Sequence, residues 1–454
     1  MLYRRVFCRL ALGVSASVVA ASICPAATID WVKQYGAENG DASYSVSADG
    51  SGNAYIAGST SSDLAAPHSG SYDGFVASFD SAGNRLWTRQ IQSSDTEFAT
   101  SVSADRLGSI YVGGWTGGDI AAPNAGSDDI FLHKFDSAGN QLWSRQIGTK
   151  SIDKLLGVSA DGLGSVYATG YTRGSLGGPN AGESDAFVIK YDASGNLIWS
   201  RQLGTASYDE AAAISADGIG NIFIAGTTWG TLDDSPFPNG AQDAFLAKYN
   251  SAGDLQWTRQ LGAPPTIRYP TDKGSGVAAD GLGNVYITGT TSNELAGPNA
   301  GSSDAFVSKY DSAGDLLWSR QLGTSKSEDS NSISTDGLGN VYISGTTTGA
   351  FVGTGLNDEQ PFIIKLNSAG DTIWMQQLGS TLDDQSWSVS ADGHGSIYFS
   401  GWTEGDFGSV SFGHLDAFLG KISEVPEPSV ISLWAIANLL AFANWARKRP
   451  ARTE

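Results

Sequence analysis

A carboxylate recurs at a fixed place along this chain, always eight residues before an aspartate that opens a glycine-containing turn. The seven copies are Asp41, Glu97, Asp153, Asp209, Asp272, Glu328 and Asp384. Carboxylate oxygens are the ligands that Ca²⁺ prefers, and the ion takes about six to eight of them. Acids held close together also repel one another unless they pair with bases or accept backbone hydrogen bonds. The set therefore predicts either a ring that binds a cation or cationic ligand, or a structural part of each repeat.

Other side chains that could perform chemistry are few and scattered. The histidines are His68, His133, His394 and His414, and they show no metal-ligand spacing. The loop pairs Asp233 with Asp234 and Asp383 with Asp384 could serve as general acid and base on a polysaccharide. Four tryptophans fall outside the repeat and could stack on sugar rings or fill packing interfaces, namely Trp115, Trp229, Trp387 and Trp402. No catalytic residue is assigned, and no cofactor is expected unless the acidic ring binds Ca²⁺.

Composition and charge exclude several classes of partner. Residues 27–423 carry 20 basic and 44 acidic side chains, a net of −24, which argues against nucleic acid and anionic lipid as partners. Both cysteines, Cys8 and Cys24, lie near the start of the chain. The remainder therefore has no disulfide, thiolate metal site or cysteine nucleophile.

The elements that position these residues repeat along almost the whole chain. A tryptophan in the same setting recurs at intervals of 56 to 61 residues, at Trp31, Trp87, Trp143, Trp199, Trp257, Trp318 and Trp374. Each period contains four short runs rich in β-branched and aromatic residues, and turns that begin with Asp or contain Gly join the runs in pairs. No helical periodicity interrupts them between residues 28 and 423. The pattern predicts four-stranded antiparallel units that must stack on one another to bury their apolar faces.

The count and the frame of the repeat predict how the units stack. First, third and fourth runs each occur seven times, but the chain begins with a lone fourth run, Ile29 to Tyr35, and ends after a third run, Asp416 to Ile422. The two ends complete one unit, which removes the open edge of a ring. We therefore predict an all-β, seven-bladed β-propeller whose last blade is closed by the N-terminal strand. An innermost first strand would place the seven acids around the mouth of the central channel, on the face with the long connections.

The repeat also resembles a known family. The segments GNVYITGTTS, Gly283 to Ser292, and DAFVSKYDSAGDLLWSRQLG, Asp304 to Gly323, are similar to the seven-bladed β-propeller repeat called SBBP, found in secreted bacterial proteins. The resemblance covers roughly residues 29 to 423. The chain departs from it at Gln360, Pro361 and Ser78. It implies a fold and carries no catalytic residues.

The two terminal segments predict the cellular location of the protein. Residues 1–26 have the layout of a secretory signal peptide, with Arg4, Arg5 and Arg9 before an apolar run and small residues before the predicted cleavage after Ala26. Residues 27–423 form the propeller. Residues 424–454 contain Pro426, Glu427 and Pro428, then an apolar stretch at 430–446 that predicts a C-terminal transmembrane helix, then a basic tail with Arg447, Lys448 and Arg449.

That C-terminal order resembles the PEP-CTERM sorting signal of bacteria that make exopolysaccharide; an ordinary tail anchor is the alternative. The resemblance implies an exosortase-type processing enzyme as a partner, and export with a transient inner-membrane anchor before the protein reaches the cell surface or the medium.

Together these features predict a secreted, surface-sorted propeller that binds or scaffolds in the bacterial envelope or exopolysaccharide matrix and is not an enzyme. Its expected partners are polysaccharide or another envelope protein. The alternatives are a carbohydrate-active enzyme, a lyase or hydrolase using loop carboxylates, and a calcium-dependent adhesion module.

Overall fold

The computed structural model describes residues 27–233, 242–262, 271–353 and 358–424. These residues form 28 strands in seven four-stranded antiparallel sheets, which are the blades of a propeller. The first, innermost strands are β2 (Asp41–Ala48), β6 (Glu97–Ala104), β10 (Asp153–Ala160), β14 (Asp209–Ala216), β18 (Asp272–Ala279), β22 (Glu328–Thr335) and β26 (Asp384–Ala391).

The second strands are β3 (Ala54–Thr60), β7 (Ser109–Thr116), β11 (Val166–Thr172), β15 (Asn221–Thr228), β19 (Val285–Thr291), β23 (Val341–Thr347) and β27 (Ser396–Thr403). The third strands are β4 (Asp73–Phe79), β8 (Asp129–Asp136), β12 (Asp185–Tyr191), β16 (Asp243–Asn250), β20 (Asp304–Tyr310), β24 (Gln360–Leu366) and β28 (Asp416–Glu424). The fourth, outer strands are β5 (Arg85–Ile91), β9 (Gln141–Ile147), β13 (Leu197–Leu203), β17 (Leu255–Leu261), β21 (Leu316–Leu322), β25 (Thr372–Gln377) and, for the last blade, β1 (Ala27–Tyr35).

The predicted closure of the ring is confirmed. The last sheet has the order β1-β28-β27-β26, so the N-terminal strand completes the blade that the C-terminal strands begin. The neighbouring first strands of blades seven and one also meet, because the Val46 amide donates to Ser388 Oγ at 3.1 Å. The same amide-to-serine bond joins other first strands around the channel, as from Val102 to Ser45.

The core lies between the blades rather than within them. Second-strand tyrosines and third-strand phenylalanines are fully buried, and one cluster joins Tyr55 and Val76 of blade one to Val102 and Phe131 of blade two. Burying large side chains of this kind contributes about 1.5–3 kcal/mol each. Because every interface draws on two blades, no blade buries its apolar surface alone.

The repeated tryptophan joins each blade to the next. The Trp87 indole N–H donates to the Ser137 carbonyl at 2.9 Å, and the ring packs on Gly139, whose φ is +78°. The equivalent glycines Gly83, Gly195, Gly253, Gly314 and Gly370 also have positive φ, as predicted for the left-handed position of the turn. Trp31 contacts Gly83 in the same way, which carries the interface across the point of closure.

Two faces result from this topology. The tight hairpins between first and second strands and between third and fourth strands lie on one side, here called the hairpin face. The longer connections lie on the other side, here called the loop face. The strand starts that carry the seven predicted acids are at the loop face.

Candidate functional site

Every first strand contains a β-bulge at the same position. In blade one the pairing with β3 shifts between Ser43 and Ser45, which leaves Tyr44 as the extra residue. The bulge residues of blades one to seven are Tyr44, Thr100, Leu156, Ala212, Ser275, Asn331 and Trp387. A bulge re-aims a side chain relative to a regular strand. All seven line the central channel.

The bulge residues also form the floor of an open cavity at the loop-face end of the channel, here called the channel mouth. The cavity holds about 480 Å³, within the range of small-ligand sites. Phe98, Glu210, Lys273 and Thr227 complete its lining. The two sides of the channel mouth differ, because aromatic rings come from blades seven, one and two and polar groups come from blades four to six.

The aromatic side is a connected group of rings. Tyr44 lies 6.0 Å from Trp387, in an edge-to-face arrangement, and 6.1 Å from Phe98. Phe98 stacks on Trp115 at 4.7 Å, and Lys154 Nζ lies 3.6 Å above the Trp115 ring. Trp387 is 39% exposed, so one edge of the group is open to a ligand.

The polar side contains the charged residues of the channel mouth. Burial raises the pKa of Glu210, and the positive charge of Lys273 partly opposes that shift. Asn331 Nδ2 donates to the Ser386 carbonyl at 2.9 Å, which orients the amide at the edge of the cavity. In the adjacent blade, the Trp387 indole N–H donates to Gln385 Oε1 at 3.1 Å. The side can therefore offer both donors and acceptors to a ligand.

The seven predicted acids lie elsewhere. Asp41, Glu97, Asp153, Asp209, Asp272, Glu328 and Asp384 are all fully buried, and none lines the channel mouth. Their side chains accept hydrogen bonds from the preceding loop, for example from the Thr149 amide to Asp153 and from the Ser93 amide to Glu97 at 2.7 Å. They also accept from the threonine that ends the second strand, as Glu328 does from Thr347 at 2.7 Å.

A second set of acids starts the third strands and faces the first set between blades. An ideal Cβ placed on Gly36 would lie 2.4 Å from Asp416 Oδ1 and 2.9 Å from Asp41 Oδ2, so both carboxylates crowd one glycine. Burial raises the pKa of Asp41, Glu97, Asp153, Asp209 and Asp384, and a facing acid adds to the shift in Asp41 and Glu97. Across the described ranges, no group of three or more His, Cys, Asp or Glu side chains could hold a metal. The cation ring stays a prediction, and its carboxylates are packed inside the blades.

The repeated glutamines and lysines mostly make hydrogen bonds to neighbouring groups. In six blades the fourth-strand glutamine donates to the acid that starts the third strand, as Gln90 does to Asp73 at 2.6 Å; in blade six Gln377 donates to Gln360 at 3.1 Å. The Gln90 side chain also accepts from the Ala65 amide, in the connection between the second and third strands. The repeated lysine lies over a second-strand tyrosine, with Lys134 Nζ 5.2 Å from the Tyr111 ring. Most of these lysines donate to a carbonyl group of the next blade, as Lys134 does to Ala193 at 3.2 Å, whereas Lys365 pairs with the Glu424 carboxylate.

The structure does not bring the remaining candidate residues together. His133 is buried in a blade core, whereas His68 lies 3.3 Å from Asp73. Asp233 and Asp383 accept backbone amides from Gln260 and Glu359. Asp234 lies outside the described residues. Trp229 packs edge-on to Tyr208 at 5.9 Å and does not line the channel mouth, whereas Trp387 does. Trp115 stacks on Phe98, which lines the channel mouth.

The sequence analysis missed Tyr44, Phe98, Glu210, Lys273 and Asn331 as residues of this site. The signal was nevertheless present. Three residues after each predicted acid, the seven repeats carry seven different amino acids, whereas the residue two positions further on is valine or isoleucine in every repeat. A position at which no two repeats agree indicates a residue that the blade itself does not need.

Comparison with known proteins agrees with this architecture. Five segments, residues 30–65, 86–121, 198–232, 256–295 and 317–351, match the model of the SBBP family, described as a beta-propeller repeat. These five segments are similar to SBBP repeats. These repeats span the junction between one blade and the next, so each match includes the tryptophan strand and the first hairpin that follows it.

Two curated proteins are similar over long stretches. An uncharacterized WD repeat-containing protein of Acanthamoeba polyphaga mimivirus is 22% identical over 428 residues, which covers 72% of this chain and 31% of the viral protein. The regulatory protein FlaEY of Caulobacter vibrioides is 24% identical over 299 residues, 54% of this chain and 29% of that protein. The chain thus spans about a third of the length of these relatives.

Solved structures with a related shape are more distant. A protein of unknown function from Dyadobacter fermentans has a TM-score of 0.44 at 13% identity, covering 88% of this chain and all of the other. The β-propeller domain of the trilobed protease from Pyrococcus furiosus scores 0.43 at 7% identity, covering 88% and 97%. An ulvan lyase scores 0.44 at 11% identity, covering 85% and 95%. Likenesses at this level carry no argument about activity.

The sorting features lie outside the described residues. These are the signal peptide at 1–26, the span at 430–446, and the sorting residues Pro426, Glu427, Pro428, Arg447, Lys448 and Arg449. In the part of the chain that the structure covers, no helix is long and apolar enough to cross a membrane.

Proposed function

We propose that this propeller is a non-catalytic binding module that holds a segment of a carbohydrate chain at the channel mouth. The observation that carries the proposal is the set of seven bulge residues. They are all different, whereas the acid before them and the valine or isoleucine after them recur in every blade, and all seven line the same cavity. A ring of identical residues would suit a structural role, whereas a varied ring suits one asymmetric ligand.

The chemistry of the two sides supports a sugar. The faces of a pyranose ring are apolar and pack on aromatic rings such as Trp387 and Tyr44, which bring large apolar area with little conformational entropy to lose. Sugar hydroxyls need both donors and acceptors, and Glu210, Lys273 and Asn331 supply both on the opposite side. The cavity is open to the loop face, so a chain can continue beyond the bound units.

The same lining argues against hydrolysis as the principal activity. Glycosidases generally need two carboxylates that flank the scissile bond. Among the described residues of the channel mouth, Glu210 is the single carboxylate. Its raised pKa and its neighbour Lys273 suit a hydrogen-bonding role toward a neutral ligand.

The cellular setting extends the proposal. The layout of residues 1–26 and of residues 424–454 supports export, a transient anchor in the inner membrane, and processing by an exosortase-type enzyme. Polysaccharide of the envelope or extracellular matrix, or an envelope protein that carries glycans, is then the partner that the channel mouth would meet. Deleting residues 425–454 should release the protein from membrane fractions; unchanged fractionation would contradict the sorting part of the proposal.

A glycan array followed by calorimetry tests the binding site. Trp387→Ala should weaken binding of the selected glycan by at least about tenfold, because truncating a central aromatic contact costs about 2 kcal/mol or more. Phe412→Ala is the matched control, since Phe412 is an exposed aromatic outside the channel mouth. Equal loss in both variants, or no loss in Trp387→Ala, would refute the site.

The two alternative functions predict different results with the same ligand. A lyase or hydrolase would shorten the bound glycan, and Glu210→Gln would abolish product formation. A calcium-dependent adhesion module would lose binding and melt at lower temperature when EDTA is added. We expect an intact glycan and unchanged binding in EDTA.

A further inference from the structure

The hairpin face carries a ring of exposed apolar side chains. In five consecutive blades the third residue of the turn between first and second strands is a leucine or isoleucine that is 65% to 77% exposed. We call these residues the apolar ring: Leu107, Leu163, Ile219, Leu282 and Leu338. Blades one and seven carry Ser51 and His394 at the equivalent position, so the ring is open on that side.

The turn itself does not require an apolar residue there. In blade one the Ser51 amide donates to Asp49 Oδ1 at 2.8 Å, and in blade three the Leu163 amide makes the same bond to Asp161 at the same distance. Glycines with positive φ flank both residues, so the backbone is alike. A folded protein rarely exposes a group of large apolar side chains without a partner that covers it.

The chain leaves the propeller next to the open side of the apolar ring. The last strand, β28, ends at Glu424 on the hairpin face, and the Glu424 amide donates to the Gly395 carbonyl beside His394 at 2.9 Å. The Glu424 carboxylate is held by Lys365 Nζ at 2.5 Å and by the Trp374 indole at 3.2 Å. The exit point is therefore fixed at the seventh blade.

The sequence beyond this exit can reach the hairpin face, and its basic residues are opposite in charge to the turn aspartates. Five residues separate Glu424 from the apolar stretch 430–446, and extended chain spans about 3.3 Å per residue, which makes a reach of roughly 17 Å. Adjacent strands lie about 4.8 Å apart, so the first hairpin of blade seven is well within that reach. Each apolar-ring residue also follows a turn aspartate by two positions, and the apolar stretch ends in Arg447, Lys448 and Arg449.

We infer that the apolar ring is the docking surface for residues 430–446 of the same chain, with the basic cluster that follows them set among the turn aspartates. A tethered segment meets its surface at an effective concentration of about millimolar, so modest apolar burial suffices to hold it. The turn acids disfavour an anionic lipid surface at the same place. Docking covers the apolar stretch when it is not in a bilayer. The inference is independent of the ligand at the channel mouth.

Site-specific photo-crosslinking of the unprocessed full chain, taken from the membrane-free fraction of cells, tests this inference. A photoreactive amino acid at position 219 or 338 should form an intramolecular adduct with residues 430–446, read out by peptide mass spectrometry. Val410 is the matched control position, because it is an exposed apolar residue on the loop face. An adduct with phospholipid, an adduct with a second copy of the chain, or the absence of any adduct at positions 219 and 338 would each overturn the inference.

Limited trypsin digestion of the purified full chain gives an independent readout. Leu163→Asn, Ile219→Asn and Leu338→Asn together should speed cleavage after Arg447 and Lys448 by at least about tenfold, since each buried leucine contributes about 1.5 kcal/mol or more. These side chains are exposed in the propeller, so the triple variant should keep its melting temperature. Unchanged cleavage with an unchanged melting temperature would contradict docking.

Discussion

Single side chains that depart from the repeat act as natural substitutions within one molecule. His133 is the clearest case, because it is 3% exposed in the core of blade two, whereas Ser308 occupies the equivalent position of blade five. Its ring lies against Phe131 and Phe135, and its nitrogens contact Gln141 and Ser144. Burial lowers the pKa of His133 from 6.5 to about 4.

This shift predicts a loss of stability in mild acid. The pKa of His133 is lower in the folded than in the unfolded state, so between pH 6.5 and about 4 only the unfolded chain takes up the proton. The histidine should therefore cost up to about 3 kcal/mol as the pH falls through that window. His133→Ser should remove this part of the pH dependence, measured as the free energy of unfolding against pH.

The buried carboxylates change the free energy of unfolding with pH in the direction opposite to His133, and they do so equally in wild type and variant. The pKa of Asp41 is raised by burial, so its contribution favours folding at low pH and is lost as the pH rises through the folded-state pKa. That contribution is common to both proteins and cancels in the difference. If the free energy of unfolding fell equally with pH in wild type and His133→Ser, His133 would not be the cause of the loss of stability in acid.

At the scale of the element, the third-to-fourth hairpin is shaped by the tryptophan of the preceding blade. A Cβ on Gly139 would lie 2.6 Å from the Trp87 ring, and the residue has positive φ. We expect Gly139→Ala to lower the free energy of unfolding by about 2–4 kcal/mol, which combines left-handed strain with overpacking.

Gly162→Ala separates the two causes. Gly162 has a φ of +67° but nothing lies within 4 Å of its ideal Cβ, so only the backbone strain of about 1 kcal/mol applies. Chemical denaturation of both variants measures the difference. Equal destabilisation would mean that the tryptophan contact contributes nothing beyond the backbone conformation.

At the scale of the whole molecule, stability depends on closing a ring whose neighbours all share interfaces. Trp31 of the N-terminal strand donates its indole N–H to the Ser81 carbonyl of blade one at 3.2 Å, just as Trp143 donates to Ala193 within the ring at 3.0 Å. Trp31→Ala should cost about 2–4 kcal/mol, as expected for truncating a partly buried aromatic.

The matched variant Trp143→Ala should cost about as much but act elsewhere. Hydrogen exchange should rise in blades seven and one for Trp31→Ala, and in blades two and three for Trp143→Ala, because each tryptophan joins two blades. Fast exchange confined to β1 would show that the N-terminal strand frays without opening the ring.

The sequence by itself determined the repeat, the number of blades and the closing strand. These follow from local rules, because strand runs, turn glycines such as Gly139 and the offset of the two chain ends can all be read along the chain. The regular spacing of the fourth-strand glutamines is also visible in the sequence. Their hydrogen-bond partners are on the neighbouring third strand, as Asp73 is for Gln90.

Tertiary structure alone decided which residues share a site. The predicted acids do lie at the start of the innermost strands. Their side chains are buried and accept hydrogen bonds from the preceding loop, however, and the sequence could not show whether they face the channel or the interior of a blade. The bulge had the opposite effect, because one extra residue in each first strand directs Tyr44, Asn331 and Trp387 from three separate repeats into one cavity. Strand pairing sets such a shift, and pairing is a property of two strands rather than of one.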